Sequence, residues 1–204
     1  MDWTKLATQE QIDKTVAALK ANGFDAVVVE NREQAKDAAL KLIPEGVEIM
    51  NNTSITLEQA GIVKEILESG RYKPVRDEFK KMDPKTQGLE MRKLGSAPDY
   101  AIGSVHAITE DGKVLIASRT GSQLGQYVYG ANKVIWVVGA QKIVPNVEAG
   151  IQRIYEHVLP LESERANKAY NMTGGSYVNK LVIYYREDNK ERIKIIIVKE
   201  LLGF

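Results

Sequence analysis

Two polar loops in this sequence combine residue types that bind small anions. The first follows a predicted strand that ends at Met50 and contains Asn51, Asn52, Thr53, Ser54 and Thr56. The second follows a predicted strand that ends at Ala117 and contains Arg119, Thr120, Gly121, Ser122 and Gln123. Each loop leads into a predicted helix. The free N–H groups of a helix start, with hydroxyl, amide and guanidinium donors, can hold a phosphate or carboxylate.

We therefore predict a ligand site in these two loops, and we include Gly103 and Ser104, which follow a third predicted strand. Ligands of open parallel sheets bind at the carboxyl ends of the strands. The alternative is that these residues only make turns and cap helices, because Asn, Ser and Thr often do so. Neither loop has the spacing of a phosphate-binding P-loop, and no Gly-x-Gly-x-x-Gly follows a strand, so no particular ligand is indicated.

Three further side chains could take part in acid–base or nucleophilic chemistry. Glu110 lies in a predicted turn, and a glutamate beside a substrate can act as a nucleophile or a general base. The alternative is a solvated turn residue. His106 shares a strand face with Ser104, and we interpret it as a histidine hydrogen-bonded in place. His157 lies in the last turn of a predicted helix, where a cation complements the helix dipole.

Strands and helices alternate along most of the chain, which is typical of a parallel sheet covered by helices. Strands are predicted over residues 26–29, 47–50, 100–102, 105–108, 114–117, 134–138, 180–185 and 192–198. Capping boxes predict helices that begin near Thr8 and Thr56, and Asn31 with Gln34 caps another. Further helices are predicted around residues 89–94 and over 120–129, the latter beginning with a Thr120–Gln123 capping box.

The last predicted helix has the clearest apolar stripe in the sequence. Its members recur at helical spacing and are Val147, Ile151, Ile154, Tyr155 and Val158. Pro145 stands at the predicted start of this helix and Pro160 beyond its end.

The predicted architecture is a single α/β domain over residues 1–204. It consists of a Rossmann-like, mostly parallel sheet flanked by helices, with an antiparallel hairpin formed by the last two strands. Asp111-Gly112 predicts a second hairpin turn. Residues 69–84 are charged, and we interpret them as a loop that leaves the sheet rather than as a second domain.

Composition excludes several classes of function. The chain has no cysteine, which excludes disulfides, thiolate zinc sites and iron–sulfur ligation by these 204 residues. The net charge of +1 offers no long-range attraction to nucleic acid or to an anionic membrane. The two histidines have no metal-ligand spacing, so no metal is expected. No secretory leader or membrane span is recognisable, so we expect a cytoplasmic protein.

Several segments together resemble the LUD-domain family, which includes lactate-utilisation protein C. The resemblance lies in residues 97–112, which read Ala-Pro-Asp-Tyr-Ala-Ile-Gly-Ser-Val-His-Ala-Ile-Thr-Glu-Asp-Gly, and in residues 133–139 followed by Lys142-Ile143-Val144. Residues 52–57, 159–166, Asn179-Lys180 and the final Leu-Gly-Phe fit the same family. The resemblance covers nearly the whole chain in the expected order.

The resemblance implies a fold like that of NagB, ribose-phosphate isomerase A and the CoA transferases. It also implies a link to L-lactate oxidation to pyruvate, in which partner subunits carry the iron–sulfur clusters. Related CoA transferases use a glutamate in a Ser/Thr-Glu-Asn-Gly setting. Thr109-Glu110-Asp111-Gly112 is similar, although Asp111 replaces the asparagine.

Three hypotheses follow. The chain binds a small anionic metabolite in the two loops, as an enzyme or as one subunit of an enzyme. Alternatively, it is a non-catalytic assembly subunit that docks an iron–sulfur or flavin protein. The third hypothesis is a stand-alone transferase or isomerase that uses Glu110. The sequence indicates no particular cofactor.

Overall fold

Two β-sheets organise the chain in the computed structural model, which describes residues 1–171 and 173–204. The strands are β1 Asp25–Val29, β2 Glu48–Asn51, β3 Lys73–Pro74, β4 Tyr100–Gly103, β5 Ala107–Thr109, β6 Val114–Ser118, β7 Lys133–Gly139, β8 Ile143–Val144, β9 Lys180–Tyr184 and β10 Ile193–Val198. The α-helices are α1 Gln9–Ala21, α2 Arg32–Lys41, α3 Ile55–Gln59, α4 Ile62–Glu68, α5 Val75–Phe79, α6 Gly88–Ser96, α7 Val147–Arg153 and α8 Leu159–Tyr170.

The larger sheet has six parallel strands in the order β1-β10-β7-β4-β2-β3. Its central strands are apolar on both faces, as expected when helices cover a parallel sheet. Along β10, Ile195 and Ile197 face α1 and the smaller sheet, whereas Ile196 and Val198 face α2, α3 and α4. The predicted mostly parallel, helix-flanked sheet is confirmed.

The smaller sheet has the order β8-β5-β6-β9 and covers one face of the larger one. β5 and β6 form the predicted hairpin, and Gly112 adopts the positive φ of 80° in its turn. Trp136 on β7 fills the space between the sheets, packing edge-on against Tyr127 and Tyr184. A further cluster of buried side chains lies between the smaller sheet and α7.

The predicted C-terminal hairpin is wrong, although both of its strands exist. β9 pairs antiparallel with β6 at the edge of the smaller sheet, whereas β10 lies between β1 and β7 in the larger sheet. The two strands differ in burial: β9 is largely half-buried, and five of the six residues of β10 are buried. An apolar run of that kind suits a central parallel strand better than a surface hairpin.

Two predictions about the region after β2 are also corrected. The side chain of Ser54, not that of Thr56, caps the third helix by accepting a hydrogen bond from the N–H of Leu57. Gly61, at a φ of 69°, separates α3 from α4, so the predicted single helix is two. Residues 69–84 contain β3 and α5 and therefore are not simply a loop.

The helix that begins after Pro145 continues past Pro160. A π-helical turn over Ile154–Val158 joins α7 to α8, and Pro160 stands in the first turn of α8, where its missing N–H is tolerated. Ile154 and Val158 of the predicted stripe are buried, and Val147 and Ile151 pack against the same cluster as Ile154. Tyr155 is exposed instead, and Ala149, Gly150 and Arg153 are also buried.

Candidate functional site

A cavity of about 520 Å³ lies where β2, β4, β6 and β7 end. Strands of the larger sheet are parallel, so the turns that follow β2, β4 and β7 meet at one edge. The other sides are closed by the turn after β6, by the π-helical turn over Ile154–Val158 together with α8, and by residues 176–178.

Nine of the predicted ligand-binding residues line this cavity: Asn52, Thr53, Ser54, Thr56, Ser104, Arg119, Thr120, Ser122 and Gln123. The two polar loops, which are far apart in sequence, therefore share one cavity. Asn51, Gly103 and Gly121 are not among its lining residues. Gly103 has a packing role instead, since a Cβ there would lie 1.7 Å from the hydroxyl oxygen of Tyr127.

The first loop is held by backbone and amide contacts. The N–H of Asn52 donates to the carbonyl of Ile102 at 2.9 Å, and its side-chain oxygen accepts from Gln126 Nε2 at 3.0 Å. Arg76 donates through Nε to the carbonyl of Asn51 at 2.7 Å and through Nη2 to Thr53 Oγ1 at 3.0 Å. These contacts place the Arg76 guanidinium on the cavity wall.

The second loop does not form the predicted capping box. The N–H of Ser122, not that of Gln123, contacts Thr120 Oγ1, at 3.3 Å. Ser118 organises the turn instead: its hydroxyl accepts from the N–H of Gly121 at 2.9 Å and donates to Gln123 Oε1 at 3.2 Å. Helical backbone begins only at Leu124 and becomes a π-turn over Gln126–Gly130, so the predicted helix over 120–129 is short and displaced.

Lys142 forms part of the cavity lining, in a 3₁₀ turn directly after β7. It is only 1% exposed. Its Nζ contacts Thr56 Oγ1 and Ser104 Oγ, each at 3.1 Å, and the carbonyl of Val105 at 3.3 Å. Burial, with the nearby positive charge of Arg153, holds the pKa of the Lys142 amine well below its usual value.

Arg153 is a second buried cation behind the cavity wall. Its Nη1 donates to the carbonyl of His106 at 2.6 Å, while Nε and Nη2 have no hydrogen-bond partner among the described residues. Burial lowers the pKa of Arg153 to about 10. Within the described chain, neither Arg153 nor Lys142 forms an ion pair with a carboxylate.

His106 lines the cavity near Lys142 and Arg153 and is held in place, as interpreted from the sequence. Its Nδ1 accepts a hydrogen bond from the N–H of Ala117 at 3.1 Å. Loss of hydration, followed by the charges of Lys142 and Arg153, lowers the pKa of His106 to about 3. The imidazole is therefore neutral at physiological pH.

Two more arginines contribute to the walls. Arg119 donates to the carbonyl of Gly175 at 3.3 Å and lies over the ring of Tyr177. Arg165 forms a two-point contact with Glu162, with both distances 2.7 Å. Glu162 is the only carboxylate side chain that the described residues contribute to the cavity lining.

Glu110 lies outside the cavity lining, at the β5–β6 turn. Its carboxylate accepts from Gln11 Nε2 at 3.0 Å and from Lys14 Nζ at 2.8 Å, so it joins the hairpin to α1. These hydrogen bonds, Lys14 first, lower the pKa of Glu110. The structure does not bring Glu110 together with the other predicted site residues.

The chain matches a known protein family. The model of the LUD domain matches residues 12–198. The chain belongs to the LUD domain family. No curated protein matches it.

One solved structure, a crystallised DUF162 family protein, supports the fold of this LUD domain. A crystallised DUF162 family protein from Deinococcus radiodurans is 12% identical, with a TM-score of 0.56 over 95% of this chain and 99% of that one. Ribose 5-phosphate isomerase from Plasmodium falciparum is 14% identical over 85% of this chain and 95% of that one, at a TM-score of 0.40. The eIF2B beta of Chaetomium thermophilum is 13% identical over 58% of this chain and 44% of that one, at 0.39.

Sequence reasoning missed the two buried cations of the LUD domain. Ala149, Gly150 and Arg153 occupy one helical face, and two small residues one turn before an arginine are a usable signal that a long side chain packs there. Lys142 stands between apolar strands in Gln-Lys-Ile-Val, but nothing local distinguishes it from a surface lysine. Chain segments far from residue 142 supply most of its contacts.

No metal centre is formed by the described residues. Outside residue 172, no three His, Asp or Glu side chains come close enough together to hold an ion. No helix built from the described residues is long and apolar enough to cross a membrane.

Proposed function

We propose that this LUD domain binds a small anionic metabolite in the cavity between the two polar loops. One observation carries the proposal: the walls hold the guanidinium groups of Arg76, Arg119 and Arg165, whereas Glu162 is the only carboxylate side chain that the described residues add to them. A concave site with one dominant sign of charge and low-dielectric walls attracts and retains ions of the opposite sign.

The surroundings of the cavity strengthen this imbalance. Arg153 adds a buried charge behind the wall, with no compensating carboxylate among the described residues. A buried charge without a partner is unfavourable, so an anion entering the cavity would offset part of that cost. Hydroxyl groups of Thr53, Thr120 and Ser122 line the same cavity and can orient a carboxylate or phosphate.

The cavity volume limits the size of the ligand. About 520 Å³ lies within the range of small-molecule sites and exceeds what a three-carbon acid needs. The family resemblance makes lactate and pyruvate the first candidates, and sugar phosphates and CoA esters the next. A role in L-lactate oxidation, with electrons passed to an iron–sulfur partner, stays a prediction, which co-purification of such a partner from native cells would test.

Isothermal titration with these four ligand classes tests the proposal. We expect one class to bind, and we expect Arg119→Gln and Arg76→Gln each to weaken it about 10- to 100-fold, because a hydrogen bond between charged groups contributes about 1.5–3 kcal/mol. Arg186→Gln is the matched control, since Arg186 is exposed and outside the cavity lining. Absence of binding by all four classes, or equal binding by every variant, would contradict the proposal.

A further inference from the structure

An uncharged amine, which has two N–H donors and one lone pair, can make all of the contacts of Lys142. The carbonyl of Val105 can only accept, and the Thr56 hydroxyl has its own acceptor, the carbonyl of Leu202 at 3.3 Å. Both N–H groups are thereby used. The third contact is to Ser104 Oγ at 3.1 Å, and the other acceptor within reach of that hydroxyl, the Val105 carbonyl, lies further away at 3.5 Å. Ser104 can therefore donate its proton to the Lys142 lone pair.

The electrostatic surroundings favour the same state. Lys142 is buried, no described carboxylate pairs with it, and Arg153 adds a second positive charge nearby. An ammonium group in such a place loses its hydration without gaining a counter-ion. The lowered pKa of Lys142 is in line with this geometry, and an amine that has lost its proton is a base.

The fold brings the two groups together at adjacent strand ends. Ser104 directly follows β4, Lys142 follows β7, and these strands are neighbours in the larger sheet, with Gly103 opposite Trp136. Gln141 fixes the turn that carries Lys142, since its Nε2 donates to the carbonyl of Leu202 at 2.8 Å. Both residues line the cavity, but Ser104 is half-buried and Lys142 is buried. The hydroxyl is therefore the more accessible of the two groups to a ligand.

We propose that Ser104 and Lys142 form a nucleophile–base pair that hydrolyses an ester or thioester of a small anionic acid. The acidic part of the substrate rests on the proposed anion-binding function. Nothing in the family match or the structural relatives assigns such a pair.

The reaction balances with water as its only co-reactant. Ser104 Oγ bonds to the acyl carbonyl carbon while its proton passes to Lys142 Nζ; the C–O or C–S bond to the leaving group then breaks, and the ammonium protonates that alcohol or thiol. Water next gives a proton to Lys142 and bonds through its oxygen to the acyl carbon. The bond to Ser104 Oγ breaks, and the proton returns to the serine.

A fluorophosphonate probe tests the pair without knowledge of the substrate. The serine oxygen bonds to phosphorus and fluoride leaves, so a reactive serine becomes labelled. Mass spectrometry of the full chain should locate the label on Ser104. We expect Ser104→Ala to abolish labelling and Lys142→Met to slow it about 100-fold or more, the contribution typical of a positioned base.

A structural role for Lys142 is separated from a chemical one by two further readouts. The labelling rate of the parent should rise with pH as the amine loses its proton, and Lys142→Arg should not restore the rate, because arginine stays protonated. A Ser104→Cys variant followed with iodoacetamide gives a second measurement, and its alkylation should slow when Lys142→Met is added. Ser69→Ala and Lys64→Met, both at exposed positions outside the cavity lining, are the matched controls.

Failure of this inference differs from failure of the proposed function. If an anion binds but Ser104 is not labelled, or is labelled equally well in Lys142→Met, the nucleophile–base pair is wrong and anion binding stands. Covalent trapping on Lys142 by a carbonyl compound and borohydride, with Ser104 unlabelled, would also overturn it. Lys142-dependent labelling of Ser104 without anion binding would support the pair and contradict the anionic substrate.

Discussion

Glu110 and Lys142 are both charged side chains in turns next to β-strands, yet their surroundings are opposite. Glu110 has Lys14 and Gln11 at hydrogen-bond distance, so its charge is compensated and its pKa moves toward the ionised state. Lys142 has three uncharged partners and a cation nearby, and its pKa moves toward the neutral state. The surroundings of Glu110 therefore stabilise its ionised carboxylate, whereas those of Lys142 stabilise the uncharged amine.

Arg192 shows that burial alone does not make this difference. It is also buried, but its Nη1 contacts Glu187 at 3.1 Å and its Nη2 donates to the carbonyl of Tyr127 at 2.8 Å. A buried cation with a full set of partners joins segments of the fold. Lys142 and Arg153 lack such compensation, and uncompensated charge beside a cavity is characteristic of binding and catalytic sites.

The largest expected difference between the surroundings of Lys142 and Glu110 is in the free energy of unfolding. Replacement Lys142→Met should raise the free energy of unfolding at pH 7 by about 1–4 kcal/mol, because it removes a buried amine that must give up a proton on folding. Urea unfolding followed by circular dichroism measures the change. Lys64→Met, at an exposed position, is the control and should stay within about 0.5 kcal/mol.

The pH dependence of the stability gained in Lys142→Met tests whether folding lowers the pKa of Lys142. The folded pKa of Lys142 is below the unfolded value of 10.5, so between the two the unfolded chain binds more protons and the parent becomes more stable as the pH rises. The advantage of Lys142→Met should therefore shrink as the pH approaches 10.5. A variant that is less stable than the parent at pH 7 would show that Lys142 is an ordinary structural residue.

The next effect is the pH dependence contributed by His106. Its pKa is about 3 in the folded protein against 6.5 in the unfolded chain, so it contributes stability above pH 6.5 that is lost as the pH falls toward 3. His106→Asn, whose side-chain oxygen can still accept from Ala117, should remove up to about 1.4 kcal/mol per pH unit from the slope of stability against pH.

Unfolding curves of the parent and the His106→Asn variant at intervals from pH 4.5 to 6.5 measure this slope. Glu110 has a lowered pKa and is unchanged in both proteins, so its titration cancels in the difference between the two curves. His157 also has a lowered pKa and stays unchanged in both proteins, so it cancels in the difference. Parallel curves for the two proteins would contradict the position of His106 near Lys142 and Arg153.

The smallest effect is expected at Glu110 itself. Glu110→Gln should lower the free energy of unfolding at pH 7 by no more than about 1 kcal/mol, because its partner Lys14 is exposed to solvent. The loss should disappear below the folded pKa of Glu110, where the parent carboxyl is protonated too. Urea unfolding at pH 7 and at a series of lower pH values tests this. Anion binding should be unchanged in Glu110→Gln, and a loss of binding would show that Glu110 belongs to the ligand site.

Local signals made much of the fold predictable. Thr8 with Gln11 forms the predicted capping box, Asn31 caps α2, and Gly112 makes the predicted turn. Each depends on residues a few positions apart. The partner of β10 was not predictable in this way, because the register of Ile193–Val198 with β1 and β7 involves segments far away in the sequence.

The distinction between local signals and contacts of distant segments also applies to the site. The polar loops were found from composition and from their position after strands, and eight of their predicted residues share the cavity with Ser104. Its chemistry depends on Lys142 and Arg153, whose surroundings come from β4, the β2 loop and α7 together. Whether a lysine is solvated or buried without a counter-ion is a property of the assembled fold, so periodicity and capping rules do not reveal it.

The position of β10 also affects how the chain can assemble on the ribosome. β1 emerges early, but its parallel partner in the sheet is Ile193–Val198, so Val27 and Val28 stay without a neighbouring strand until residues 193–198 have been made. An apolar strand that waits unpaired is open to association with other nascent chains. Synthesis of this protein therefore creates an interval in which a holding chaperone would be useful, and one in which a truncated product that lacks β10 would aggregate.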